Sequence, residues 1–247
     1  MAALEVRGLR KQFGGVVALN GIDLDIDTDR VVGIVGPNGS GKTTLFNVVT
    51  GVHPATGGTV FWQGQDITNI GAHRIARKRL VRTFQQAMSF PGLTVDENVR
   101  IAWEQGRRDG SRWASPGMIL DFVGLAPLGK AIAGSLPFGS LRRLGLAVAL
   151  GVSPELLLLD EPGAGLNDSE AQAFAAVIAQ LPPQGIGVCL IDHDMDMMSE
   201  LCDRLIVLDF GTKIAEGPPS EVLADPKVRE VYLGPDKKDS NKKAGAS

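Results

Sequence analysis

Val31-Val32-Gly33-Ile34-Val35-Gly36-Pro37-Asn38-Gly39-Ser40-Gly41-Lys42-Thr43 is the stretch on which the fold turns. Its first five residues are continuously apolar, as in a strand buried on both faces of a mainly parallel sheet. The next eight fill the pattern GxxxxGK[ST], and a helix is predicted to start near Lys42. Glycines let successive backbone N–H groups turn inward around an anion, and the helix N-terminus adds the positive end of its dipole. Lys42 supplies a point charge for β- and γ-phosphates, and the Thr43 hydroxyl can ligate Mg²⁺. A chance glycine-rich turn would not fit all eight positions with a strand before it and a helix after it.

Further apolar runs recur at Leu156 to Leu159, Gly187 to Ile191 and Leu205 to Leu208. Helix-like segments, notably Glu170 to Leu181 and Met195 to Leu201, separate them. This alternation predicts an α/β core. Upstream the pattern differs: Ile22, Leu24 and Ile26 alternate with Asp23, Asp25 and Asp27, the period of a strand with one wet face. With Leu4 to Leu9 and Thr59 to Trp62 it predicts a small antiparallel sheet. From about Gly92 to Gly151 the chain shows helical spacing, Gly/Pro punctuation and no convincing central strand, so a helical insert is expected there. Residues 236–247 are polar and Lys-rich, and are expected to form a disordered tail.

Composition narrows the function classes. A net charge of −3 argues against a strongly basic nucleic-acid-binding surface. No apolar run approaches the roughly 18 residues that would span a bilayer. Met1 to Lys11 carries scattered charges where a signal peptide needs an apolar segment. Cys189 and Cys202 lie in apolar surroundings without CxxC spacing, and read as two buried thiols in a reducing compartment. A soluble cytoplasmic protein is the expectation.

Leu156-Leu157-Leu158-Leu159-Asp160-Glu161 is an apolar strand ending in two acids. Alone it is weak evidence, since acids often end exposed strands. Beside a phosphate loop, Asp160 can hold Mg²⁺ through water and Glu161 can orient or polarise the attacking water. His193 follows the strand Val188 to Ile191 and can donate or accept at a γ-phosphate. Gln85, after Val81-Arg82-Thr83-Phe84, can complete a magnesium shell through its amide oxygen; a surface glutamine is the plainer reading.

Taken in order, the phosphate loop, Gln85, Leu136-Pro137-Phe138-Gly139-Ser140, Asp160-Glu161, Gly165-Leu166-Asn167-Asp168 and His193 resemble the nucleotide-binding subunit of an ABC transporter. The resemblance runs to about Gly234. It implies a P-loop α/β ATPase core with an antiparallel β subdomain and a helical subdomain (about residues 92–151), all in one ATP-binding domain over residues 1–235. It also implies ATP and Mg²⁺ as ligands. ATP would be held by Gly36, Asn38, Gly39, Ser40, Gly41, Lys42, Thr43 and Thr44, with Phe13 stacked on adenine. Thr43, Gln85 and Asp160 are the implied metal residues, Glu161 the catalytic glutamate and His193 the switch histidine. In such proteins two subunits close head to tail, each ATP lying between one phosphate loop and the partner's signature segment around Gly139. Closure drives integral membrane permease subunits, which places the chain peripherally on the inner face of the cell membrane, with no nucleic-acid partner.

The signature departs from the family's LSGGQ. Pro137 offers neither a serine hydroxyl nor a backbone N–H to a γ-phosphate. Gly139 remains, and a helix expected from about Ser140 still aims its N-terminus at the site. Leu-Pro-aromatic-Gly, together with Phe13-Gly14-Gly15, Arg82-Thr83-Phe84-Gln85 and Asp192-His193-Asp194-Met195, resembles the branched-chain amino-acid (amino-acid/amide) importer branch. Two readings follow: an import ATPase, or a nucleotide-gated binding subunit whose altered signature supports little hydrolysis.

Overall fold

The computed structural model of the chain describes residues 3–83, 89–107 and 112–233. β1 (Leu4–Phe13) and β2 (Val16–Ile26) form a hairpin, and β3 (Val31–Val35) leads through the phosphate loop into α1 (Lys42–Val49). β4 (Gly57–Trp62), β5 (Gln65–Asp66), α2 (Ala72–Arg77) and β6 (Leu80–Arg82) follow. Three helices come next: α3 (Val95–Gly106), α4 (Pro116–Phe122) and α5 (Phe138–Gly151). The chain then alternates through β7 (Leu156–Asp160), α6 (Asp168–Ala179), β8 (Gly187–Ile191), α7 (Met195–Leu201) and β9 (Arg204–Asp209). It closes with β10 (Thr212–Gly217), α8 (Pro219–Ala224) and α9 (Pro226–Leu233).

Two sheets result. One has the order β2-β1-β4-β5 and is antiparallel, with Leu4 opposite Ile26 and Val6 opposite Leu24. The other has the order β10-β9-β3-β8-β7-β6, parallel except for the edge strand β10. The continuous apolar runs are explained by where alternate side chains go. Val32, Ile34, Leu156, Leu158, Ile191 and Ile206 enter a core shared with the antiparallel sheet and with Leu45 and Phe46 of α1. Val31, Val35, Leu157, Leu159, Leu190 and Val207 enter the opposite core, closed by Leu144 of α5, Ile178 of α6 and Met198 of α7. Each such side chain contributes about 1.5–3 kcal/mol by leaving water, so an unpaired polar residue on either face of the sheet would be costly.

β1, β2, β4 and the four central apolar strands match the sequence reading, while β5, β6 and β10 were not anticipated. α6 begins at Asp168, earlier than the expected Glu170. The Asn167 side chain accepts from the Glu170 N–H at 3.0 Å, and Glu170 accepts from the Asn167 N–H at 3.2 Å. That reciprocal cap starts the helix one residue after Asn167. Likewise α5 begins at Phe138 rather than Ser140: Pro137 is its N-cap, with an extended ψ of 154°, and its carbonyl accepts the first helical hydrogen bond from the Leu141 N–H at 3.0 Å. Both cysteines are free and buried, as expected. Burial pushes the Cys202 thiol up to about 12, and Cys189 is pushed up further.

Candidate nucleotide site

The phosphate loop folds as it does because two glycines stand where a side chain has no room. A Cβ on Gly36 (φ 150°) would lie 2.1 Å from the Leu208 carbonyl oxygen, and one on Gly41 (φ 104°) 2.6 Å from that of Ala18. Asn38, Gly39 and Thr43 are open to solvent, Thr44 is half-buried and Ser40 is buried. The Lys42 ammonium donates to the carbonyls of Gly36 (2.7 Å) and Pro37 (3.0 Å). Burial pushes its pKa down, against the pull of the Glu161 and Asp160 carboxylates.

β7 brings those two acids to the loop, in quite different states. Asp160 is buried and its Oδ2 pairs with an Arg82 guanidinium nitrogen at 2.6 Å. Its Oδ1 is buried with no hydrogen-bond partner among the described residues. Glu161 is half-buried in the left-handed region at φ 47°, and its N–H donates to the Ile191 carbonyl at 2.8 Å. A left-handed glutamate costs about 1–2 kcal/mol, and here the turn carries its carboxylate off the strand toward the charges of Lys42 and Arg142.

His193 stands in the loop after β8 with its side chain 72% exposed, so it is presented outward and not packed. Asp192 fixes that loop. One of its buried oxygens accepts from the N–H groups of His193 (2.8 Å) and Asp194 (3.2 Å), and the other from Gly163 at 3.4 Å. Phe13 ends β1 and is 43% exposed, which excludes a core role. Its ring meets His53 edge-on at 5.4 Å, and the Lys11 ammonium lies 4.6 Å over it.

Gly139 sits apart from the phosphate loop, in the first turn of α5, and is buried against Glu170 of α6; a Cβ there would lie 2.5 Å from Glu170 Oε1. Arg142 donates to the Ala164 carbonyl at 3.2 Å and covers the Phe138 ring at 5.0 Å. The signature segment is thus tied to the loop that follows Glu161 in its own chain. Gln85 and the tail 236–247 lie outside the described residues.

Sequence reasoning missed two residues that organise the site. Arg82 bridges Asp160 to Asn47 of α1, donating to Asn47 Oδ1 at 2.6 Å. The signal was available, since one charge in the apolar run Leu80-Val81-Arg82 needs a buried partner. Asp192 was read only as a neighbour of His193, although a carboxylate directly after five apolar residues is placed to collect backbone donors.

Together, fold and site define a P-loop ATPase of the ATP-binding-cassette type. The family model "ABC transporter" matches residues 19–164, and "Branched-chain amino acid ATP-binding cassette transporter" matches 212–234. The high-affinity branched-chain amino acid transport ATP-binding protein BraF of Pseudomonas aeruginosa is 36% identical over 250 residues, covering 94% of this chain and 97% of that protein. LivG of Escherichia coli, described in the same words, is 36% identical over 248 residues, with the same coverage. The crystal structure of the ADP conformation of MJ1267, an ATP-binding cassette of an ABC transporter, superposes with a TM-score of 0.84 at 32% identity, over 95% of this chain and all of that one. The chain belongs to the ABC transporter family, as an ATP-binding and ATP-hydrolysing subunit. No helix among the described residues is long and apolar enough to cross a membrane.

Proposed function

We propose that this subunit energises import of branched-chain amino acids or related small polar solutes, with Glu161 and the phosphate loop performing the hydrolytic step. The observation that carries the residue assignment is the meeting of Lys42, Asp160 and Glu161 at the ends of β3 and β7, with one carboxylate neutralised and the other held out on a left-handed turn. The loop N–H groups and Lys42 bind the phosphates, and Phe13 offers a ring for the base. Glu161 accepts a proton from water as its oxygen attacks the γ-phosphorus; the bond to the β-phosphate oxygen breaks, leaving ADP and phosphate. His193, exposed on a loop fixed by Asp192, is assigned the contact to the γ-phosphate in this reading.

The residues present fit Mg²⁺. Thr43 offers an exposed hydroxyl and Asp160 a buried oxygen with no hydrogen-bond partner among the described residues. No cluster of three His, Cys, Asp or Glu among the described residues would hold a metal by itself. An ion here therefore depends on these two groups, with Gln85 and nucleotide oxygens; bound, it supplies charge neutralisation at the phosphates. The names of the relatives support the solute class and the importer assignment. The remaining partners in this reading are permease subunits and a second ATP-binding subunit, identical or similar, on the inner face of the membrane. Replacing Glu161 with Gln tests the central role: steady-state hydrolysis should fall about 10²–10⁴-fold while ATP-driven dimerisation persists. Full turnover by that variant would sink the assignment.

A further inference from the structure

The two protein groups that fit Mg²⁺ are carried by different elements. Thr43 lies in the first turn of α1, which follows β3, whereas Asp160 ends β7, and β8 stands between those two strands in the sheet. Their strands are thus two spacings, about 10 Å, apart. One side chain joins them. Arg82 in β6 is opposite Leu158 of β7. Leu80, two residues earlier, enters the core that holds Leu158 and Phe46 of α1, so strand periodicity aims Arg82 at the same face. Asp160, two residues after Leu158, is aimed there as well. The guanidinium then divides between two elements: Nη2 donates to Asp160 Oδ2 at 2.6 Å, and Nη1 to Asn47 Oδ1 at 2.6 Å. Its central carbon lies 5.7 Å from the centre of the Phe46 ring. Asn47 is one turn along α1 from Thr43, at the i+4 position of the same helix face. The Arg82 and Asp160 side chains are 6% and 2% exposed, which leaves water little access to the pair.

We propose that Arg82 is a positioning residue for the metal site, a strut that fixes Thr43 and Asp160 relative to each other and so sets how strongly Mg²⁺ tightens nucleotide binding. The arginine occupies one oxygen of Asp160. The other, Oδ1, is buried and has no hydrogen-bond partner among the described residues, so the carboxylate is held with a free acceptor. Two different nitrogens of one rigid fork serve the two acceptors, which a lysine ammonium on its flexible stem would not reproduce. The positive charge of Arg82 by itself opposes a nearby cation. Its contribution to metal binding is therefore geometric: carboxylate and helix are ordered before the ligand arrives. The bridge can be cut at Asn47 without changing any charge. The proposal rests on the Mg²⁺ reading above and adds to it a residue that touches neither metal nor nucleotide.

The test measures ADP dissociation constants by calorimetry on the full chain, in EDTA and in saturating Mg²⁺, for wild type, Asn47→Ala and Arg82→Lys. Urea denaturation of the three proteins runs in parallel. The ratio of the two constants isolates the metal's contribution, which a loss of stability alone would not move. In both variants that ratio should fall about three- to ten-fold, the worth of one hydrogen bond, while the metal-free constant stays within two-fold of wild type. Asn47→Ala leaves the Arg82–Asp160 pair in place, so it decides the matter even if Arg82→Lys does not fold. An Asn47→Ala ratio within two-fold of wild type, whatever its stability, overturns the strut and leaves the Mg²⁺ reading standing. So does a metal-free constant that rises as much as the Mg²⁺ one. A wild-type chain that binds ADP equally well with and without Mg²⁺ overturns the Mg²⁺ reading, and this proposal with it.

Discussion

Two pairs of helix starts in this molecule are built by different rules. α3 and α6 carry full reciprocal caps, Thr94 with Glu97 and Asn167 with Glu170, so their first N–H groups are satisfied by side chains. α1 and α5 have none: Gly41 precedes one in a left-handed conformation and Pro137 the other, with no side-chain cap hydrogen bond at either. The uncapped pair are the two ends that the motifs assign to phosphate. A missing cap leaves donors free, and at these two ends the motifs supply a phosphate for them, whereas α2 and α8, after Gly71 and Pro218, also lack a side-chain cap without any such motif. α1 is secured from its body instead, through Asn47 and Arg82 to Asp160.

This contrast can be broken at several points. Arg82→Ala is expected to do the most damage, leaving the Asp160 carboxylate buried without its cation at a cost of about 3–5 kcal/mol; urea denaturation checks it, and a loss under 1 kcal/mol would show that α1 does not depend on the bridge. Lys42→Ala should reduce Mg-ATP affinity about 10- to 100-fold with an unchanged far-UV spectrum, since the ammonium serves the ligand and not the helix. Asn167→Ala is the reverse case: about 1 kcal/mol of stability lost with Mg-ADP affinity unchanged by calorimetry. The smallest effect is a proton count. Burial holds the Lys42 pKa below its ordinary value of about 10.4. In the window between the lowered and ordinary values the unfolded chain binds more protons, so the nucleotide-free fold gains stability as pH rises through it. Nucleotide affinity should fall over the same window, with proton uptake on binding detectable by calorimetry in buffers of different ionisation enthalpy.

The central strands and the phosphate loop were legible because their signals are local: continuous apolar runs and an eight-residue motif with steric reasons for its glycines. Asp160 and Glu161, weak evidence by themselves, could be paired with the loop because the phosphate motif calls for a carboxylate at the end of a neighbouring strand. β6 escaped notice because three residues carry no period, and its partner β7 lies far along the chain. For the same reason Arg82 was visible as an oddity but not as the counterion of Asp160. The onset of α5 was misjudged by two residues because Pro137 was read for the N–H it lacks and not for the carbonyl with which it caps the helix.

The left-handed turn at Glu161 has a consequence for variation in this chain. Glycine would sit there without strain, so the position keeps glutamate against its own conformational preference, as expected where activity is selected over stability. On the proposed role of Glu161, a change to glycine would consequently remove hydrolysis and go unpunished by the folding machinery. Such a subunit would accumulate at normal levels and still bind nucleotide. It would then compete with intact copies for a place in the transporter, so that a single defective allele acts as a poison rather than an absence.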